Sequence, residues 1–140
     1  MTVRSVKIVG TGRYVPSRVM TNDDFARLVD TNDEWITTRT GIKERRIAAE
    51  NETTSDMAVA AAREALKDAR LEPKDIDLVL VATITPDHIF PATAAIVMTK
   101  LGIPACGGFD MEAACSGFVM GLATAKGLLM TGVARRALVI

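Results

Sequence analysis

The chain has 140 residues, 49% apolar and 4% aromatic, which is long enough for one domain with a sizeable core. Its 17 basic residues balance 17 acidic ones, so bulk charge supplies no attraction to nucleic acid or an anionic membrane. Two cysteines, Cys106 and Cys115, and the lack of a signal-peptide pattern make the reducing cytoplasm the expected compartment.

Val3–Val15, with Val6, Ile8 and Val9, is expected to form the first strand. Gly10-Thr-Gly12 is not a dinucleotide fingerprint, because Val15 occupies the third glycine position and Pro16 bars a helix there. Thr21 or Asn22 caps a short helix to about Val29. Thr31 or Asn32 caps a second, Asp33–Thr40, which Gly41 ends. Ile42–Ala48 is charged and reads as a solvent-facing strand or hairpin. Thr53-Thr-Ser-Asp56 has capping-box spacing and opens a helix to about Ala69. Its apolar face, Met57, Ala58, Ala61, Ala62, Ala65, Leu66 and Ala69, is mostly alanine and so predicts a closely packed neighbour. Pro73 bars continuation.

Leu78–Ala82 is an uninterrupted apolar run, as in a parallel strand covered on both faces. Pro86 and Pro91 bracket a loop holding His88 and Phe90, and Thr93–Leu101 is a helix closed by Gly102. Ala105–Met111 is a further buried strand, and Ser116–Met130 a helix stopped by Gly132. The apolar stretch Ala113–Met130 contains Lys126 and is rich in small residues, so it is expected to be buried in protein and not to span a membrane. Arg135–Ile140 reads as a core strand just starting, without turn or polar tail, and predicts a chain that is one piece of a larger fold. The alternation of strand and helix calls for an α/β layered sheet with right-handed crossovers.

Cys115 lies where the strand turns into the last long helix, and the unpaired amides there favour a thiolate. A helix end is worth about 0.3–1 kcal/mol, at most about 2, to a nearby anion. That lowers a thiol pKa by at most about 1.5 from a starting value of about 8.5. The dipole alone leaves the thiol partly protonated, so a partner base is needed, and no convincing one stands in the sequence. Two readings of Cys115 stay open on this pattern: a covalent nucleophile, or a small buried hydrophobe. Cys106, in an apolar strand, is expected to be buried and inert, and the spacing of the two cysteines is no CxxC redox or zinc pattern. His88, the one histidine, is assigned to a structural or surface role. Read from residue type alone, Trp35 is a core anchor and Arg39 a solvated helix charge.

Five segments together resemble the β-ketoacyl-acyl-carrier-protein synthase III family: Gly10-Thr-Gly, Asp30-Thr-Asn-Asp-Glu-Trp-Ile, Thr38-Arg-Thr-Gly-Ile-Lys-Glu-Arg, Phe90-Pro-Ala and Ala113-Ala-Cys-Ser-Gly-Phe118. They occur in family order over nearly the whole chain. The resemblance implies a thiolase-like α-β-α-β-α sandwich, of which residues 1–140 would be the N-terminal half-domain, a mixed sheet with flanking helices. The C-terminal half would lie outside this chain, and a fragment alone would expose apolar area and associate or aggregate.

The implied reaction loads a short acyl group from acyl-CoA onto Cys115 and condenses it with malonyl-acyl-carrier protein, starting fatty-acid synthesis. The resemblance assigns Thr31, Trp35 and Arg39 to the nucleotide end of coenzyme A, on one helical face by their spacing. It assigns Phe90 to the border of the acyl pocket across a homodimer contact; the alternative is a loop aromatic packed on its own domain. It implies no metal and no cofactor beyond the coenzyme A thioester used as substrate, and neither a nucleic-acid nor a membrane partner. The family's histidine and asparagine have no counterpart at a matching position here. Competing readings are another thiolase-fold acyl-CoA condensing enzyme, a non-catalytic acyl-CoA- or carrier-binding fragment, and a redox protein using both cysteines.

Overall fold

A computed structural model describes residues 5–140, which divide into two compact units. One comprises Val15–Glu52; the other joins the segment ending at Tyr14 to Thr53–Ile140.

In the larger unit, helix α3 (Thr54–Ala69) is followed by strand β3 (Leu78–Ala82), helix α4 (Thr93–Leu101), strand β4 (Gly107–Met111), helix α5 (Gly117–Thr131) and strand β5 (Ala137–Val139). The smaller unit holds β1 (Arg18–Thr21), α1 (Asn22–Ala26), α2 (Asp33–Thr40) and β2 (Glu44–Ile47).

The three strands of the larger unit form a parallel sheet in the order β4-β3-β5, with Leu80 opposite Phe109 and Val139. β3 is central because all its side chains are apolar. Val79 and Val81 face α3 and α4 with Ala62, Leu66 and Val97, while Leu78 and Leu80 face α5 with Ala125 and Ala134. This confirms a strand covered on both sides. The crossovers through α4 and α5 run in opposite directions on opposite faces, so they share one hand.

α3 starts on a reciprocal capping box: Thr53 Oγ1 accepts the Asp56 N–H, and the Asp56 carboxylate accepts the Thr53 N–H at 3.0 Å. Its alanine-rich face meets backbone. A Cβ on Gly10 would lie 2.6 Å from the Ala65 carbonyl oxygen, and one on Gly12 would collide with the backbone of Ala61 and Ala65. The Gly10-Thr-Gly12 run is therefore a packing notch, locked by the Thr11 N–H donating to Asp68 at 2.8 Å.

The expected strand Val3–Val15 does not form. Val3 and Arg4 lie outside the described residues, and Ser5–Val15 contains no strand. The glycines bring this segment onto α3, and the sheet strand β5 pairs only with β3 among the described residues. A cleft of about 690 Å³ between Ser5–Val9 and Arg135–Ala137 separates the segment from β5.

In the smaller unit β1 and β2 form an antiparallel ribbon, Arg18 opposite Ile47 and Thr21 opposite Glu44. The expected charged strand is β2; its partner β1 is a strand that sequence pattern misses. The first helix ends at Ala26, short of Val29, with the Leu28 and Val29 amides turned back onto the Phe25 carbonyl. Asn22, 2% exposed, ties this unit together. Its amide donates to Asp33 at 2.7 Å and to the Ile42 carbonyl at 2.8 Å, and its oxygen accepts from Arg45 at 2.9 Å.

α5 departs from expectation in part. Gly117, Gly121 and Ala125 form its buried stripe, while Phe118, Val119 and Met120 are exposed. Ala114–Thr131 is long and apolar enough to cross a membrane by length and composition, yet only 17% of it is buried. Small residues seat the helix on the sheet and leave the opposite apolar face uncovered.

Candidate active site

The chain leaves β4 at Met111 and turns sharply before α5. Ala114 has φ 44°, a left-handed conformation that costs a non-glycine residue about 1–2 kcal/mol. Ala114–Ser116 is a single 3-10 turn, closed by the Ser116 N–H and hydroxyl, which donate to the Ala113 carbonyl at 3.0 and 2.7 Å. The turn throws Cys115 outward, where it is exposed. This overturns the reading of Cys115 as buried filler.

Gly117 places the start of α5 against the sheet: a Cβ there would lie 3.1 Å from the Cβ of Ala82, the last residue of β3. Cys115 thus sits beyond the carboxyl ends of parallel strands, where open α/β sheets bind ligands. No side chain caps α5 at Ser116; the 3-10 turn runs straight into the helix, with the Gly117 N–H donating to the Ala114 carbonyl, so the positive end of α5 lies beside the sulfur. The arrangement presents a thiol to a carbonyl carbon and backbone donors to the oxygen that becomes negative.

Cys106 is the contrasting thiol. Half-buried, its Sγ lies 3.4 Å from Met98 Sδ, and burial, with the charge of Asp77 second, pushes its pKa above 9.0. It precedes β4 and is only partly buried, so the expected burial within a strand is not met. His88 is exposed on its loop. No group of three or more His, Cys, Asp or Glu among the described residues could hold a metal.

Trp35 is 53% exposed, so it is no core anchor; Ile36 is the buried residue of α2. The Arg39 guanidinium lies 4.4 Å from the centroid of its ring. Thr31 does not share their helical face: Asn32 caps α2 by accepting the Trp35 N–H at 2.8 Å, leaving Thr31 outside the helix. Its buried hydroxyl has no hydrogen-bond partner. The base of α2 is held by Asp33, whose carboxyl is lowered to about 2 by the Asn22 amide first, then Lys43 and Thr37. Sequence reasoning missed Asn22 because its partners lie far along the chain. The structure thus brings Trp35 and Arg39 together, in the smaller unit, while Cys115 belongs to the larger.

Phe90 is 88% exposed and its neighbour Ile89 101%, so this aromatic is not packed on its own domain.

Comparison with known proteins finds counterparts of these features. Residues 109–140, which contain the β4–Cys115–α5 turn, match the family profile of 3-oxoacyl-[acyl-carrier-protein] synthase III. The chain is 56% identical over 136 residues to β-ketoacyl-[acyl-carrier-protein] synthase III of Desulfitobacterium hafniense, covering 97% of this chain and 41% of that protein. It is 58% identical over 135 residues to the Neisseria gonorrhoeae protein of the same name, covering 96% of this chain and 42% of the relative. The crystal structure of 3-oxoacyl-[acyl-carrier-protein] synthase III from Aquifex aeolicus superposes with a TM-score of 0.92 at 52% identity, over 95% of this chain and 43% of that one.

Sheet, helices and cysteine turn are those of a thiolase-fold protein. Within that class the chain is similar, over nearly its whole length, to proteins named β-ketoacyl-[acyl-carrier-protein] synthase III. It spans about two-fifths of the length of the relatives it matches.

Proposed function

We propose that residues 1–140 form the N-terminal half-domain of a β-ketoacyl-acyl-carrier-protein synthase III, a cytoplasmic homodimer that initiates fatty-acid synthesis. The Cys115 thiolate attacks the carbonyl of a short acyl-CoA, the acyl–sulfur bond of the primer breaks, and coenzyme A leaves as its thiolate, which takes a proton from solvent. Malonyl-acyl-carrier protein then loses CO2, and the resulting carbanion attacks the Cys115 thioester. The β-ketoacyl carrier product departs and the thiolate is regenerated. A thiolate both attacks and leaves well, which turns one hard condensation into two easier steps. The Cys115 backbone N–H contributes to the oxyanion hole.

The exposed Cys115 on the strained, uncapped turn before α5 is the observation that carries this reading. Identity above 50% to named synthases supports the substrates. In coenzyme A binding, the exposed Trp35 ring stacks on adenine, the Arg39 fork reaches phosphate, and the orphaned Thr31 hydroxyl gains a partner. Phe90 projects to border the acyl pocket of the second subunit. A C-terminal half supplies the remaining catalytic side chains and covers the apolar face of α5 around Phe118 and Val119.

The test is labelling of the complete synthase with radioactive acetyl-CoA and with iodoacetamide, followed by peptide mapping. Label should fall on Cys115, and Cys115→Ala should abolish acyl transfer. Label on Cys106, or full transfer by Cys115→Ala, overturns the assignment.

A further inference from the structure

The loop between β3 and α4 is fastened at both ends while its tip is bare. On one side Asp87 accepts two hydrogen bonds from Ser55 at the start of α3, from the backbone N–H at 2.9 Å and from the hydroxyl at 2.5 Å. Ser55 is 0% exposed. Lys100, in the last turn of α4, donates to Ser55 Oγ at 2.6 Å and to Asp56 Oδ1 at 2.6 Å. Next to this cluster, Thr54 Oγ1 donates to the Thr85 carbonyl at 2.7 Å. On the other side, the N–H groups of Thr93 and Ala94 donate to the Asp110 carboxylate at 2.6 and 2.8 Å. Between these fastenings stand Ile89 and Phe90, with almost no contact of their own.

A serine between a lysine and an aspartate resembles a nucleophile, but this hydroxyl is enclosed and its hydrogen is committed to Asp87. Its work is mechanical. Burial opposes the charge on Asp87, yet the Ser55 bonds and nearby Lys100 outweigh it and hold the carboxyl below its ordinary range. A charge held in this way resists leaving its site, because release costs hydrogen bonds that an ionised acceptor makes strong.

We propose that Ser55, Asp87 and Lys100 are positioning residues for primer selectivity: by fastening the loop they fix where Phe90 stands, and so the depth of the acyl pocket it borders. This rests on the synthase reading and on the pocket role of Phe90 given above. A one-ångström shift of such a wall alters which chain lengths fit, while Cys115, on a different turn, is untouched.

The experiment is a double-mutant cycle in the complete synthase, read as the ratio of kcat/KM for acetyl-CoA to that for hexanoyl-CoA. Asp87→Ala is expected to change this ratio at least tenfold in the parent and less than twofold in a Phe90→Ala background. The rate of Cys115 alkylation should stay within twofold of the parent throughout. Lys100→Gln, at a partly exposed site that does not threaten folding, should change the ratio about threefold in the same direction. Equal changes in both backgrounds, or none in the parent for either variant, overturn the positioning role alone. A parent enzyme whose Cys115 takes no acyl group from either primer overturns the synthase reading and this inference with it.

Discussion

Helices α3 and α5 are nearly equal in length and pack on opposite faces of one sheet, yet they begin in opposite ways. α3 satisfies its first amides with its own side chains, the reciprocal pair Thr53 and Asp56. It buries a stripe that includes Ala58, Val59, Ala62 and Leu66. α5 has no side-chain cap, follows a strained alanine, and buries only Gly117, Gly121 and Ala125. The framework helix spends its N-terminus on stability. The helix behind Cys115 forgoes a side-chain cap and follows a strained turn that aims one sulfur outward, as functional sites do.

The largest expected effect comes from moving the origin of α5. Gly117→Val places methyls against Ala82 and should lower acyl transfer by the complete synthase about 100-fold, since misplacing a reacting group by about 1 Å costs that much. Its cost in stability, measured by urea unfolding, should be about 1–3 kcal/mol. A variant that loses stability but transfers normally would break the contrast. Next, Thr53→Ala should destabilise by about 1 kcal/mol through loss of the α3 cap, with the Cys115 alkylation rate unchanged.

Opening the turn before α5 should have a different profile. Ser116→Ala removes the hydroxyl bond to the Ala113 carbonyl and should cost about 0.5–1.5 kcal/mol in urea unfolding. Unchanged stability would mean that the backbone alone holds this turn.

The smallest effect is electrostatic. Asp56 is held at about 2, below its ordinary 3.8, by Lys100 first and then Thr53. Because the folded value is the lower one, the stabilisation is complete above pH 3.8 and is lost as pH falls through about 2. Lys100→Met should raise the Asp56 value toward 3.8 in an NMR titration and move the acid unfolding midpoint upward.

Periodicity made most of the larger unit legible in sequence. The all-apolar run Leu78–Ala82 is the central strand, and the alanine stripe of α3 is the face that meets backbone. Ser5–Val15 failed because strand-like composition is only half of a strand; the ladder needs a neighbour, and the two glycines commit this segment to a helix surface. β1 was illegible for a related reason, since Arg18–Thr21 becomes a strand only through pairing with the distant β2.

At the candidate site, the Cys115 junction was visible as a change of period from strand to helix. The left-handed Ala114 was not, because nothing in alanine announces it. Asn22 and Ser55, both buried, escaped notice because their partners Ile42, Arg45, Asp87 and Lys100 are remote in the chain. A polar residue buried among distant partners leaves no periodic trace.

The glycine seat of α5 also governs how motion reaches the nucleophile. At Gly117 and Gly121 only hydrogen atoms stand between the helix and Ala82 or Val139. No compressible side chain cushions that joint, so the sulfur should ride with the rigid strands and not with the loops around it. Thermal displacement of Cys115 should therefore track that of β3 across temperature, leaving a sulfur that is outwardly accessible yet as stiff as the core beneath it.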